Sequence, residues 1–432
     1  MTVRVCIAAV LSMAVLAACG EEDVILPGDR FDLRAQPAFE NQSRPVSIPA
    51  AQANNQWSHR NGTPSHAINH PALGTALTPL FVVDIGEGDS KDARLTSHPI
   101  VADGVIYTVD ARATVTATTV DGARLWSRNL IPSRDNAGDA SGGGLSVAGG
   151  QVYVTTGFGQ ISALNAATGD VVWVQDLDAP ANASPTVRGD LVYVVARDST
   201  AWALDVTNGR VRWQQSGTPS TANFGSGAAP ATAGEFVIFP FPSGEVLTTY
   251  PIGGIQRWST VVSGDRLGSV SAVINDISGD PVIVGDRVYI GNFGGRTVAL
   301  DLQDGSRIWT ATEGAVSPVW PVGNAVYLIN DINELVRLDA TSGDPVWRVA
   351  LPTFEDEERT RRQKRVFTHY GPVLAGGRLI VTSSDGLIRQ FDPTSGALVG
   401  EIALPGGAAS GPVVAGQTLY VLTKTGQLHA FR

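Results

Sequence analysis

Cysteine is almost absent from this chain. Only two of its 432 residues are cysteine, Cys6 and Cys19, and both stand at its very beginning. The body beyond them has no disulfide framework, no paired-cysteine metal or redox motif, and no Cys-x-x-Cys-His haem attachment. Basic residues are also in short supply, with Lys and Arg totalling 31 against 41 Asp and Glu, a formal net charge of −10. Such a surface repels phosphate backbones and excludes nucleic acid as a natural partner. There is no Gly-x-Ser-x-Gly elbow and no phosphate-cradling Gly-Lys-Ser/Thr loop, so nucleophilic hydrolysis and nucleotide binding have no motif to rest on. Long apolar runs are missing too: the one candidate, Val5 to Ala18, is too short to cross a bilayer.

What that run does have is the proportions of a signal peptide, with Arg4 ahead of it and small residues behind. Leu16-Ala17-Ala18-Cys19 resembles the bacterial lipobox, in which the cysteine is acylated and becomes the mature N-terminus. The alternative is an ordinary signal peptide that happens to contain a cysteine. Gly20, rather than Asp, resembles the outer-membrane sorting class. The expected organisation is a lipoprotein signal peptide over 1–18, a lipidated N-terminus and flexible tether over 19–55, and a folded body over 56–432. The tether is read from its prolines, mixed charge and lack of any sustained period.

The 48 Gly and 25 Pro suit many tight turns between short strands. From residue 99 onward one unit recurs, and its best copies are ALDVTNGRVRW at 203–213 and ALDLQDGSRIW at 299–309. The closing tryptophans are Trp126, Trp173, Trp213, Trp258, Trp309 and Trp347, and in a seventh copy Gly400 replaces the ring. A period near 40–50 residues with four strands per unit predicts an all-β, eight-bladed propeller of four antiparallel strands per blade. In this reading the glycine permits positive φ at the turn, the Asp or Asn before it bonds the turn backbone, and the Trp wedges between neighbouring blades. The last unit, PVVAGQTLYVLTKTGQLHAFR at 412–432, has only three strands. LFVVDIG at 80–86 is expected to complete it, closing the ring with a strand from the N-terminal side.

The A-x-D-x-x-x-G-x-x-x-W repeat is similar to that of quinoprotein-type (PQQ-like) propellers. With the LAAC sequence and eight repeats, it resembles the BamB-like outer membrane protein assembly lipoproteins over nearly the whole chain. That resemblance implies a non-catalytic, monomeric propeller anchored by lipid alone to the periplasmic face of a Gram-negative outer membrane. It implies binding to a POTRA domain of a BamA-like partner in the barrel-assembly machinery, with nascent outer membrane proteins as further candidate partners and no cofactor. Carried over residue by residue, the docking loop of a middle blade matches Asp265, Arg266 and Leu267, with Asp276 at its first acidic position. Ser278 stands at the second acidic position, and an upstream docking pair falls at Phe224-Gly225.

Two rival readings remain. A periplasmic quinoprotein dehydrogenase would need a quinone, Ca²⁺ and an Asp base, and such enzymes often carry vicinal cysteines, which the mature chain lacks. A peptidoglycan-associated structural propeller is the other. His59, His66 and His70 cluster in HRNGTPSHAINH, but Gly62, Pro64 and Pro71 make that stretch a loop with no metal-site pattern. The charged segment 352–372 reads as a solvated loop or short helix with Glu–Arg pairs, or as a partner or peptidoglycan contact.

Overall fold

The computed structural model of the chain describes residues 39–220, 227–264, 266, 274–355 and 365–432. Its strands form eight four-stranded antiparallel sheets. These are the expected blades, spanning 100–129, 143–176, 186–216, 231–261, 277–311, 320–350, 369–403 and, for blade 8, 413–431. Blade 8 has three strands of its own. Its fourth is Pro79–Asp84, paired with the final strand from Pro79 opposite Phe431 to Asp84 opposite Gln427. Just beyond this ladder Thr78 and Arg432 exchange backbone hydrogen bonds of 2.8 and 2.9 Å. The chain therefore closes its ring with a strand borrowed from its own N-terminal side.

The repeat motif builds the joints between blades. Each of the six tryptophans lies on the turn glycine of the following blade: a Cβ placed on Gly169, Gly209, Gly254, Gly305, Gly343 or Gly396 would sit 2.5–2.9 Å from the preceding blade's indole. Those glycines also have φ between +64° and +76°, so both space and backbone demand glycine. Five indoles donate from Nε1 to a carbonyl in the same turn: Trp126 to Ala166, Trp173 to Val206, Trp213 to Pro251, Trp258 to Leu302 and Trp309 to Ala340, at 2.7–3.0 Å. At Trp347 the equivalent carbonyl, Pro393 O, instead accepts from the Tyr327 hydroxyl at 2.8 Å. The turn carboxylates behave as expected. Asp301 accepts the N–H groups of Gln303 and Asp304, and Asp339 those of Thr341 and Ser342. At the closing joint Phe81 takes the tryptophan's place, its ring 3.0 Å from where a Cβ on Gly122 would be.

The segment expected to be a free tether as far as residue 55 is docked from Asn41 onward, the first residue of the compact unit. Residues 41–77 form a belt over the turns that join the first two strands of each blade, and it bonds to all eight blades. Trp57 exchanges backbone bonds with Val101 in blade 1, Val147 in blade 2 donates to Ser58 O, and Thr232 in blade 4 donates to Pro64 O. Ile283 in blade 5 donates to Ser65 O, Gly376 in blade 7 to Pro71 O, and Gly416 in blade 8 to Asn54 O. In blade 3 the Val187 N–H donates to His59 Nε2 at 3.1 Å. At blade 6 the Asn41 amide brackets the Arg348 backbone with two 2.9 Å bonds, and Trp57 stacks on Trp320 with centroids 6.4 Å apart. Blade 6 alone has a largely covered rim: Val346 and Trp347 are buried, whereas most other fourth strands are exposed along their length.

The belt accounts for its histidines. His70 donates from Nδ1 to Pro49 O and accepts the Gly377 N–H at Nε2, both at 2.8 Å, and His66 donates to Pro281 O at 2.9 Å. Asp280 ties Arg60 to blade 5 with an ion pair of 2.7 Å between nearly inaccessible side chains.

Two outcomes are expected. Phe81→Ala should lower stability by about 2–4 kcal/mol in a urea titration, whereas Leu80→Ala or Val82→Ala on the same strand, each about half exposed, should change it by less than about 1 kcal/mol. The second concerns pH. Burial pushes the His59 pKa down to about 3, and its Nε2 must stay unprotonated to accept from Val187. The unfolded chain takes up this proton below about 6.5 and the folded chain only near 3, so stability falls as pH drops from 6.5 toward 3. His59→Gln should flatten that acid limb, read as the urea midpoint against pH.

Candidate docking face and channel mouth

At the end of the ring opposite the belt lie the connections from each fourth strand to the next blade and the turns between second and third strands. Here the connection into blade 5 is pinned by one side chain. Arg266 donates from Nε and a terminal nitrogen to the two oxygens of Asp331 at 2.6 and 2.8 Å, and to Glu313 Oε2 at 2.9 Å. Its backbone N–H reaches Gly294 O at 2.9 Å. Glu313 also takes Asn330 at 2.8 Å and pairs with the Arg348 guanidinium. Two carboxylates with side chains at most 2% exposed thus face two arginines that are about one quarter exposed. Hydrogen bonding to Asp331 pushes the Arg266 pKa up against the opposing effect of burial, and Glu313 adds to the rise. The fork is bidentate, a geometry lysine cannot reproduce.

The other residues expected at this surface fall differently. Asp276 is 2% exposed and lines a cavity of about 20 Å³ between the connections of blades 3 to 5, so its carboxylate is interior. Asp265, Leu267, Phe224 and the acylation candidate Cys19 lie outside the described residues. So does 356–364 of the charged segment, but its ends form a ladder: Phe354 bridges Val366, and Glu355 and Phe367 donate to Arg365 O and Thr353 O.

Those ends wall a cavity of about 740 Å³ at the channel mouth, reached also by Arg60, Leu95, His98, Phe293, Val316 and Ile332. Its chemistry does not match a quinone held beside Ca²⁺. No three His, Cys, Asp or Glu side chains among the described residues converge to hold a metal ion. The nearest buried carboxylates are committed, Asp280 to Arg60 and the Ala229 N–H, and Asp331 to Arg266.

A family model described as "Outer membrane protein assembly factor BamB" matches residues 102–349 and 333–432. The chain belongs to the BamB family. It is 26% identical over 352 residues to the outer membrane protein assembly factor BamB of Shewanella oneidensis, covering 79% of this chain and 85% of that one. The fold is similar to the crystal structure of BamB from Moraxella catarrhalis, with a TM-score of 0.68, 18% identity, and 83% and 100% of the two chains covered. It is also similar to quinohemoprotein alcohol dehydrogenase from Comamonas testosteroni, with a TM-score of 0.65, 13% identity, and 88% and 81% covered. At such identities the likenesses show the propeller alone, and they are shared by a BamB protein and an enzyme.

Glu313→Gln should leave two arginines facing a neutral amide and cost about 3 kcal/mol in urea unfolding. Arg266→Lys should recover less than half of what Arg266→Ala loses in the same measurement, because the fork is gone.

Proposed function

We propose that this chain is a non-catalytic scaffold lipoprotein of the outer-membrane barrel-assembly machinery. It is acylated at Cys19, hangs on the periplasmic face of the outer membrane, and holds a POTRA domain of a BamA-like partner. The docking residues are Asp265, Arg266 and Leu267, with Phe224 and Asp276 as further contributors. The observation that carries this reading is the BamB family match along the propeller, which coincides with a middle-blade connection fastened to the next blade through Arg266. An Arg266 side chain already held by two carboxylates has little conformational entropy left to lose on binding. It supplies part of an interface of about 1,200–2,000 Å², so no single residue accounts for the affinity.

An affinity-tagged copy should retrieve the BamA-like barrel protein from detergent extracts, identified by mass spectrometry. Leu267→Asp should weaken that retrieval about tenfold, equivalent to about 1.4 kcal/mol, with an unchanged melting temperature. Cys19→Ser should move the protein from the membrane to the soluble fraction. A wild-type copy that brings down no barrel-assembly protein refutes the docking role, and a membrane-bound Cys19→Ser variant refutes the anchor.

A further inference from the structure

The chamber at the channel mouth is open and its surface is mostly apolar. We propose that it binds a single-chain amphiphile with an acidic headgroup, the alkyl chain inside and the head at a basic rim. Its volume of about 740 Å³ lies within the range of small-ligand sites, about 300–1,000 Å³. The walls include Leu95, Val316, Phe354 and Phe367, with Ile332 46% and Val366 54% exposed. Large aliphatic side chains left half in water at a concave site gain by being covered.

The rim supplies the charge. Among the described residues, a second cavity of about 740 Å³ shares Arg94, Leu95, Val366, Thr368 and Tyr370 with the first and adds Lys91, Arg365 and Lys424 against Asp89 and Glu355. Four cations to two acids is a reversal in a chain of net charge −10. The acids hold their partners loosely, Arg94 to Asp89 at 3.7 Å and Arg365 to Glu355 at 3.6 Å, with both arginines well exposed. Lys424 donates to Ser384 O at 2.9 Å, and Lys91 has no acidic partner among the described residues. An anionic head would meet these cations without first breaking a buried pair.

The interior decides between an alkyl chain and a peptide. Among the described residues the His98 ring and the hydroxyls of Ser317, Thr368 and Tyr370 are the lining polar groups without a hydrogen-bond partner, while the charged members Arg60, Arg94 and Asp331 each have an ion-pair partner. A buried peptide brings an N–H and a C=O per residue and would leave most unsatisfied. An alkyl chain brings none.

The test uses the full-length chain carrying Cys19→Ser, purified without detergent and titrated below the critical micelle concentration with three probes of one chain length. Laurate, dodecyl phosphate and dodecyl maltoside carry a carboxylate, a phosphate and a neutral sugar. Laurate or dodecyl phosphate should bind one to one and at least tenfold more tightly than the maltoside, and the tighter of the two tells a fatty acid from a phospholipid fragment as the source. Ile332→Asp and Val366→Asp should each weaken that binding tenfold or more with unchanged melting temperature. Lys91→Glu should weaken the anions severalfold and leave the maltoside unchanged. Val172→Asp, on the exposed rim of blade 2, should change nothing. Equal binding of all three probes, insensitivity to both chamber substitutions, or a capped apolar pentapeptide that binds more tightly than laurate overturns the proposal.

Discussion

Everything in this ring depends on one contact, an indole laid on the next blade's turn glycine with its N–H on that turn's carbonyl. A four-stranded blade cannot bury its own face, so each blade is completed by its neighbour. The contact couples the steric demand for glycine to the hydrogen-bonding demand of a buried indole, and five of the six indoles meet both in the same turn. At the joint between blades 7 and 8 that turn does not exist. Where blade 8 would bend from its third strand to its fourth, the chain has its last strand on one side and Thr78 on the other. Gly400 stands where the tryptophan would be, with the Gln390 amide 3.2 Å from where its Cβ would lie, and Arg378 bonds Gln390 Oε1 at 2.6 Å and the carbonyls of Gly74 and Thr75. The missing tryptophan is therefore a consequence of where the ring is cut.

The ring is closed a second time by the belt. Strand exchange fastens blade 8 alone, whereas residues 41–77 touch every blade and bond mainly through backbone groups. Neutral histidine suits this work because one imidazole can donate and accept along a line, joining a belt residue to a backbone N–H of a blade. His59 and His70 both do so. The arrangement commits one end of the ring to internal contacts and leaves the opposite end, with its longer connections and its chamber, for other molecules.

The blades, their number and the source of the closing strand were legible in the sequence because a repeated local rule generates them. Asp, Gly and Trp occur at fixed spacing, and each carries a short-range meaning. The belt was illegible for the opposite reason. HRNGTPSHAINH has no period, its partners lie one to three hundred residues away, and the contacts run through backbone atoms that any sequence possesses. Composition marked it as loop, which is right for its backbone and silent about where it docks. The same limit applies at the candidate site. Arg266 reads as an exposed docking cation until Asp331 and Glu313, from the next blade, are seen to hold it. Asp276 reads as a surface acid although the blade buries it.

A propeller of this kind supports an enzyme or an assembly factor equally well, and the fold gives no preference. The preference for an assembly factor comes from the family match, and the channel shows how its described carboxylates are committed. Acid–base or metal chemistry needs a carboxylate with an uncommitted lone pair aimed at an open space. Here Asp280, Glu313 and Asp331 face inward, and each is paired with arginine. A matched pair is electrostatically quiet and mechanically stiff, because moving either partner exposes a buried charge. Such pairs join blade to belt and connection to blade around the mouth. They hold its loops in place while leaving its apolar walls and outer cations available.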